Sequence, residues 1–249
     1  MRWYAALVIL SACGTSAEVG MDASSVDAGA PDAAELPDAG APDAAEVPDA
    51  GAPVLRNYLA FGSSSTYGTG ASTPDKAYVE LLYARLKGQA PTLVRSNFAG
   101  GGATVRQFEA RLPDMVRLAP EVVTILPYTD YVQTSTETLR AGYAHIFDAL
   151  GPLGTTIFFG DNTVDPALVC GTGSGPGGCY SPADLTKLAL KHDVITALAA
   201  TRPFVIMVPL LDQNVAHPEW YANSHPNDLG HLWLADQFWA KIQPWLAGR

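Results

Sequence analysis

The sequence predicts a three-layer α/β sandwich, a five-stranded parallel sheet covered by helices on both faces, carried behind a long unstructured leader. Three observations predict it. Short apolar runs recur at residues 58–61, 93–97, 122–126, 156–159 and 204–208. Amphipathic stretches of helical period separate them, at 77–86, 105–112, 137–150 and 182–200, and a last one spans 229–245. Alternating strands and helices are βα units, which stack into a parallel sheet buried on both sides. The composition changes sharply at residue 54, so residues 54–249 form the folded domain and are ample for such a core.

The leader comes first in the chain. Residues 1–12 read as an export signal, with Arg2 as the positive charge and an apolar stretch at 3–10 too short to span a bilayer. Leu10, Ser11, Ala12 and Cys13 resemble the bacterial lipoprotein signal, which implies cleavage before Cys13 and lipidation of that residue. Gly14 carries no inner-membrane retention signal by the same resemblance, so the expected destination is the outer membrane or cell surface. Residues 13–53 hold the lipidated cysteine and an eleven-residue repeat, PDAAELPDAGA at 31–41 and PDAAEVPDAGA at 42–52. Two prolines and a glycine per repeat break any helix, and almost no apolar bulk is present to offset the entropy of ordering. Nine acidic side chains against Arg2 alone place −8 of the net −10 in residues 1–53, so the spacer repels itself and extends.

The folded part is nearly neutral. No basic stripe is present to displace counterions from a phosphate backbone, which excludes nucleic acid as a partner. No apolar run approaches the roughly 20 residues of a membrane span, so any membrane contact is through the N-terminal lipid. The first strand, 58–61, leads into Gly62, Ser63, Ser64, Ser65, Thr66, Tyr67 and Gly68; the second, 93–97, leads into Phe98, Ala99 and Gly100, Gly101, Gly102. The helix at 182–200 has a clear start in Ser181, Pro182 and Asp184, a capping side chain followed by a proline where no donor is needed. Cys170 and Cys179 flank the flexible segment GTGSGPGG; in an oxidising compartment they are expected to close a disulfide worth about 2–3 kcal/mol. Two cysteines without a neighbouring histidine fall short of a metal site, and neither metal nor cofactor is expected. A monomer is expected.

Ligands of a parallel sheet sit beyond the carboxyl ends of its strands, so the loops after the apolar runs carry the candidate chemistry. Those loops resemble, in order, the motif blocks of the GDSL-type esterases, also called SGNH hydrolases. GSSSTYG at 62–68 matches the block Gly-Asp-Ser-x-Thr-x-Gly, with Ser63 in place of aspartate and Ser64 as the implied nucleophile. NFAGGGAT at 97–104 matches the second block with Ala99 for its first glycine, and makes Gly102 the implied backbone donor to an oxyanion. The third block, Gly-x-Asn-Asp, falls on Pro127, Tyr128, Thr129 and Asp130; the last, Asp-x-x-His-Pro-Asn, falls on Ala222, Asn223, Ser224, His225, Pro226 and Asn227. The resemblance implies a flavodoxin-like sandwich and a serine acyl-enzyme.

The residues support that chemistry on their own terms. A serine hydroxyl becomes a useful nucleophile when an imidazole takes its proton, and the imidazole works best when a third group holds its tautomer. Ser64 and His225 fill the first two roles. The Ser64 and Gly102 N–H groups, with the Thr129 hydroxyl in place of the family's asparagine amide, are the candidate oxyanion donors. The third group is open: Asp212, at the end of the fifth apolar run, comes first, Asn223 second, and Glu219 or a backbone carbonyl also qualify. The departures are costly if uncompensated, about 100- to 1,000-fold for an oxyanion donor and about 10,000-fold for the orienting acid. Two readings therefore stand: an esterase for short acyl or acetyl esters, including O-acetyl groups on a glycan, and a decayed hydrolase fold that binds a glycan or acyl ligand without turnover.

Other motifs are excluded or structural. The glycines at 100–102 have neither dinucleotide nor P-loop spacing, and no Gly-x-Ser-x-Gly elbow is present. His145, His192 and His217 read as surface or packing residues, and His231 is the remaining histidine near His225. Phe158, Phe159, Trp233 and Trp239 read as core. Tyr128 and Tyr131 are placed to line a pocket, and Asp130 either braces its loop or touches substrate.

Overall fold

The computed structural model describes residues 55–161, 182–210, 217–222 and 224–249. The leader with Cys13, the cysteines Cys170 and Cys179, and the candidates Asp212 and Asn223 lie outside the described residues. Five strands, β1 (Asn57–Gly62), β2 (Val94–Asn97), β3 (Val122–Leu126), β4 (Thr156–Gly160) and β5 (Val205–Val208), form one parallel sheet in the order β2-β1-β3-β4-β5. This is the flavodoxin-like order expected from the resemblance.

The inner strands β1, β3 and β4 are continuous apolar runs because both faces are covered, whereas the edge strand β2 (VRSN) stays partly exposed; alternating side chains divide the core in two. Leu59, Phe61, Val123, Ile125, Ile157 and Phe159 point to one face, under α3 (Val105–Ala110), α4 (Leu112–Leu118), α6 (Thr136–Leu150) and α7 (Pro182–Ala200). Tyr58, Ala60, Val122, Leu126, Phe158 and Val208 point to the other, under α2 (Tyr78–Gln89) and the final helix, α8 (Asp228–Ala247). Phe158, Phe159 and Trp233 are core residues, and Trp239 packs partly buried beside them.

Two further helices, α1 (Ser64–Tyr67) and α5 (Tyr128–Gln133), occupy the loops after β1 and β3, and a short antiparallel hairpin, β6 (Tyr221–Ala222) and β7 (His225–Pro226), precedes α8. The single helix read at 105–112 is two: the chain breaks at Arg111 and restarts at Leu112, with Pro113 in the new first turn, where its missing N–H costs nothing. Chain direction diverges at the centre of the sheet. It leaves β1 through α2 on one face and returns to β3 through α3 and α4 on the other, which opens a crevice at the carboxyl ends of β1 and β3. No helix among the described residues is long and apolar enough to cross a membrane.

Candidate active site

Ser64 opens α1 because the chain turns sharply at the end of β1. A Cβ on Gly62 would collide with Thr66 Oγ1 and come within 2.5 Å of the Leu126 carbonyl oxygen, so the turn admits glycine. Ser63 is buried at the next position; its N–H donates to the Leu126 carbonyl at 3.3 Å, and its hydroxyl has no hydrogen-bond partner among the described residues. Thr66 Oγ1 meets the Tyr78 hydroxyl at 2.9 Å and roots α1 on α2, while Asn97 Nδ2 donates to the Thr66 carbonyl at 3.1 Å. Thr66, which with Gly68 holds the register of the first block, and Asn97, which opens the second, are thus the anchors of the nucleophile's turn.

His225 arrives from the far end of the chain. Asn227 caps α8 by accepting the N–H groups of Leu229 and Gly230 at 3.0 and 3.1 Å, and its Nδ2 donates to the Glu219 carbonyl at 2.7 Å. The helix start therefore fixes the hairpin strand that carries His225. Gly70, at φ +98°, presses that strand from the other side: a Cβ there would strike the Pro226 carbonyl and reach 3.1 Å from His225 Cβ. The outcome is a contact of 2.9 Å between His225 Nε2 and Ser64 Oγ, both half-buried and 161 residues apart in sequence. With the ring proton on Nδ1, Nε2 accepts the serine proton. Glu219, one candidate for holding the ring, has its carboxylate on His217 Nδ1 at 2.8 Å, and that pairing pulls the carboxyl below its ordinary range. Ala222, at the family's aspartate position, faces His225 across the hairpin and has no acceptor on its side chain.

The candidate donors lie on the loops that leave the neighbouring strands β1, β2 and β3. Gly100 N–H donates to the Gly62 carbonyl at 3.2 Å, which lays the loop after β2 beside the serine turn. Gly102 follows in a left-handed conformation, φ +66°, and neither its N–H nor that of Ser64 donates to a protein acceptor among the described residues. Thr129, 5% exposed, sits at the start of α5 just beyond β3, whose Leu126 pairs with Gly62. Its hydroxyl makes no hydrogen bond to protein among the described residues. The site thus joins a serine, a hydrogen-bonded imidazole and uncommitted donors at the ends of three neighbouring strands, the components of acyl transfer. Among the described residues, no group of three or more His, Cys, Asp or Glu side chains is placed to hold a metal ion.

The model of the GDSL-like lipase/acylhydrolase family matches residues 60–233, from β1 into α8. The chain belongs to that family. Its fold is shared with solved structures of low identity. LAE5, an α/β hydrolase enzyme from the metagenome of Lake Arreo, is 20% identical over 75% of this chain and 94% of its own, with a TM-score of 0.59. The psychrotrophic esterase EstA from Pseudoalteromonas sp. is 16% identical over 77% of this chain and 99% of its own, TM-score 0.59. A catalytic mutant of Axe2, an acetylxylan esterase from Geobacillus stearothermophilus, is 17% identical over 76% and 94%, TM-score 0.60. No curated protein matches the chain in sequence.

Around this GDSL-type site the structure assigns several residues to support. Asp130 is fully buried and does not reach out to substrate: its Oδ1 accepts the Val105 N–H at 2.8 Å and the Thr134 hydroxyl at 2.7 Å, and its Oδ2 accepts the Tyr143 hydroxyl at 2.6 Å. Burial raises its pKa above the ordinary carboxylate value, against these bonds and the nearby Lys191 charge. Lys191, from α7, donates to the Asp130 and Tyr131 carbonyls at 3.3 and 2.7 Å and secures the end of α5. Tyr131 lies in the core at 1% exposure, while Tyr128 stays half-buried at the end of β3. His145 pairs with Glu109 on the surface, and His192 lies 3.5 Å from Asp161.

His231 is buried and structural. Its Nε2–H donates to the Thr69 carbonyl at 3.1 Å and its Nδ1 accepts the Tyr78 N–H at 3.3 Å, so it ties the loop after α1 to the start of α2. Burial pushes its pKa below the ordinary value of 6.5. The folded state thus binds this proton more weakly than the unfolded chain, so the stabilisation is complete above about pH 6.5 and is lost as pH falls through the depressed folded value. We expect His231→Gln to flatten the dependence of the urea midpoint on pH below 6.5; an unchanged slope would count against a buried neutral imidazole.

Proposed function

We propose that this chain is a serine ester hydrolase that works through an acyl-enzyme on Ser64 and is displayed on the cell envelope by a lipid on Cys13. The observation that carries the enzymatic reading is the 2.9 Å contact between Ser64 Oγ and His225 Nε2 in a GDSL-family fold. Ser64 Oγ attacks the ester carbonyl carbon while Nε2 takes its proton. The carbonyl oxygen becomes an oxyanion, met by the N–H groups of Ser64 and Gly102 and by the Thr129 hydroxyl. Collapse breaks the bond to the alcohol, which leaves with the proton from His225. Water, deprotonated by the same imidazole, then releases the acid and restores Ser64. Asp212 is the first choice for orienting His225 and Asn223 the second.

We assign the substrate class as short acyl or acetyl esters, including O-acetyl groups on a glycan. Two supports are the resemblance of residues 1–13 to an export signal, followed by a long spacer, and the acetylxylan esterases among the structural neighbours. The spacer carries the domain away from an outer-membrane or cell-surface lipid.

A single experiment tests these points. The protein from the membrane fraction is treated with a fluorophosphonate probe, digested without reduction and mapped by mass. One adduct on Ser64, lost in Ser64→Ala and in His225→Ala, is expected, together with a lipid on Cys13 and a linked Cys170–Cys179 peptide. Folded protein that takes no adduct at probe levels labelling a known esterase would overturn the enzymatic reading and leave a glycan- or acyl-binding module. An unmodified Cys13 would overturn lipid display, and free thiols at Cys170 and Cys179 would overturn the disulfide.

A further inference from the structure

A hollow of about 420 Å³ lies one helical turn from the nucleophile and includes neither Ser64 nor His225. Its walls join the apolar Ala71, Pro74, Ala77 and Val79 to the polar Thr69 and Thr73, with Tyr67 among them. Tyr67 is the most open of the large apolar and aromatic side chains exposed among the described residues, at 69%. It stands three residues after Ser64 in α1, and residues at that spacing are neighbours on a helix surface. An open aromatic ring on the wall of a hollow offers a flat face on which a ligand can stack.

The walls define what that ligand is. The Thr69 and Thr73 side chains in this lining make no hydrogen bond to protein among the described residues, whereas the Asn97 amide is spent on the Thr66 carbonyl and the Ala99 N–H. Glu80 is ion-paired with Arg95, and Lys76 on the rim is ion-paired with Asp228 at 2.7 Å, so the charges present are matched. A flat apolar face ringed by hydroxyl partners, with no net charge, fits a neutral sugar ring, which has an apolar C–H face and a hydroxyl edge. The loop that forms the wall is also held to the chemistry. Ser72 N–H and hydroxyl donate to Asp228, each at 2.7 Å, at the start of α8, and Gly70 in the same loop abuts His225.

We infer that this hollow is a subsite for a neutral sugar ring on the alcohol side of the ester, stacked on Tyr67, which makes Tyr67 a specificity-determining residue. The inference builds on the reading of Ser64 as the nucleophile. The test compares acetate release from methyl tetra-O-acetyl-glucopyranoside and from ethyl acetate, whose leaving group is too small to reach the ring. In Tyr67→Ala the ratio of the two kcat/KM values is expected to fall about tenfold, mainly through KM for the sugar ester, and Tyr67→Trp is expected to restore it. A ratio unchanged within about twofold of the parent would overturn the subsite, since even a modest stacking energy exceeds that. The second readout needs no turnover: saturation-transfer NMR of cellopentaose on the Ser64→Ala protein. A signal that Tyr67→Ala removes supports the subsite even if the chain releases no acetate, which separates its fate from that of the esterase reading. Where the chain releases no acetate, absence of any signal, or a signal that Tyr67→Ala leaves unchanged, rejects it.

Discussion

Ser64→Ala is expected to lower kcat for acetyl ester hydrolysis by about a million-fold, His225→Ala by a similar factor, and the double variant by no more than either alone. The reason is that the two side chains act as one unit. Without the imidazole the hydroxyl keeps its proton, and without the hydroxyl the imidazole has nothing to activate. What survives in all three is the hole formed by the Ser64 backbone, Gly102 and Thr129, which still lowers the barrier for attack by water, by about 1,000- to 10,000-fold in comparable sites. Neither substitution removes a core side chain, and both residues are half-buried. Thermal midpoints within a few degrees of the parent are therefore expected. Steady-state acetate release for the four proteins, with melting curves alongside, checks this. Effects that multiply in the double variant would show that Ser64 and His225 act independently and would dismantle the mechanism.

The legible and the illegible parts of this fold differ in what generates them. Whereas the exposed edge strand β2, VRSN, is not an unbroken apolar run, the inner strands β1, β3 and β4 were readable to within a residue or two because parallel strands buried on both faces are such runs, as in 122–126. The helices α1 and α5 were not, since four and six residues are too few to display a helical period. The break between α3 and α4 was missed for a related reason: apolar spacing runs on across Arg111, and Pro113 is tolerated in a first turn, so the pattern registers no stop. Within the site, Ser64 and His225 could be found because a turn after the first strand and a helix cap before the last helix are local features. The role of Asp130 could not. Its partners come from α3, α5 and α6, and a carboxylate beside Thr129 looks the same in sequence whether it faces substrate or the core. Tyr67 is a similar case, as only the folded surface distinguishes it from the buried Tyr58, Tyr78 and Tyr143.

Asp130→Ala is expected to destabilise the protein by about 3 kcal/mol or more, because it leaves the Val105 N–H and the Thr134 and Tyr143 hydroxyls without their acceptor. Its catalytic effect is argued from position. Asp130 is the neighbour of Thr129, and the N–H it holds belongs to Val105, three residues beyond Gly102. One carboxylate therefore sets the separation of two candidate oxyanion donors carried by loops from different strands. A displacement of about 1 Å in such a group costs about 100-fold, so kcat is expected to fall by that factor in the folded fraction while KM changes little. Asp130→Asn is the informative companion, since its amide oxygen can keep the Val105 N–H and much of kcat, although it gives up the charge-assisted bond from Tyr143. The pH dependence follows from the raised pKa of Asp130. The folded state holds this proton more tightly than the unfolded chain, so its contribution is greatest below the unfolded value of about 3.8 and is lost as pH rises through the folded value. The stability advantage of the parent over Asp130→Asn is therefore expected to shrink between those limits, read from urea midpoints at a series of acid pH values. A parent-like kcat in folded Asp130→Ala would free the hole from this brace and confine Asp130 to stability alone.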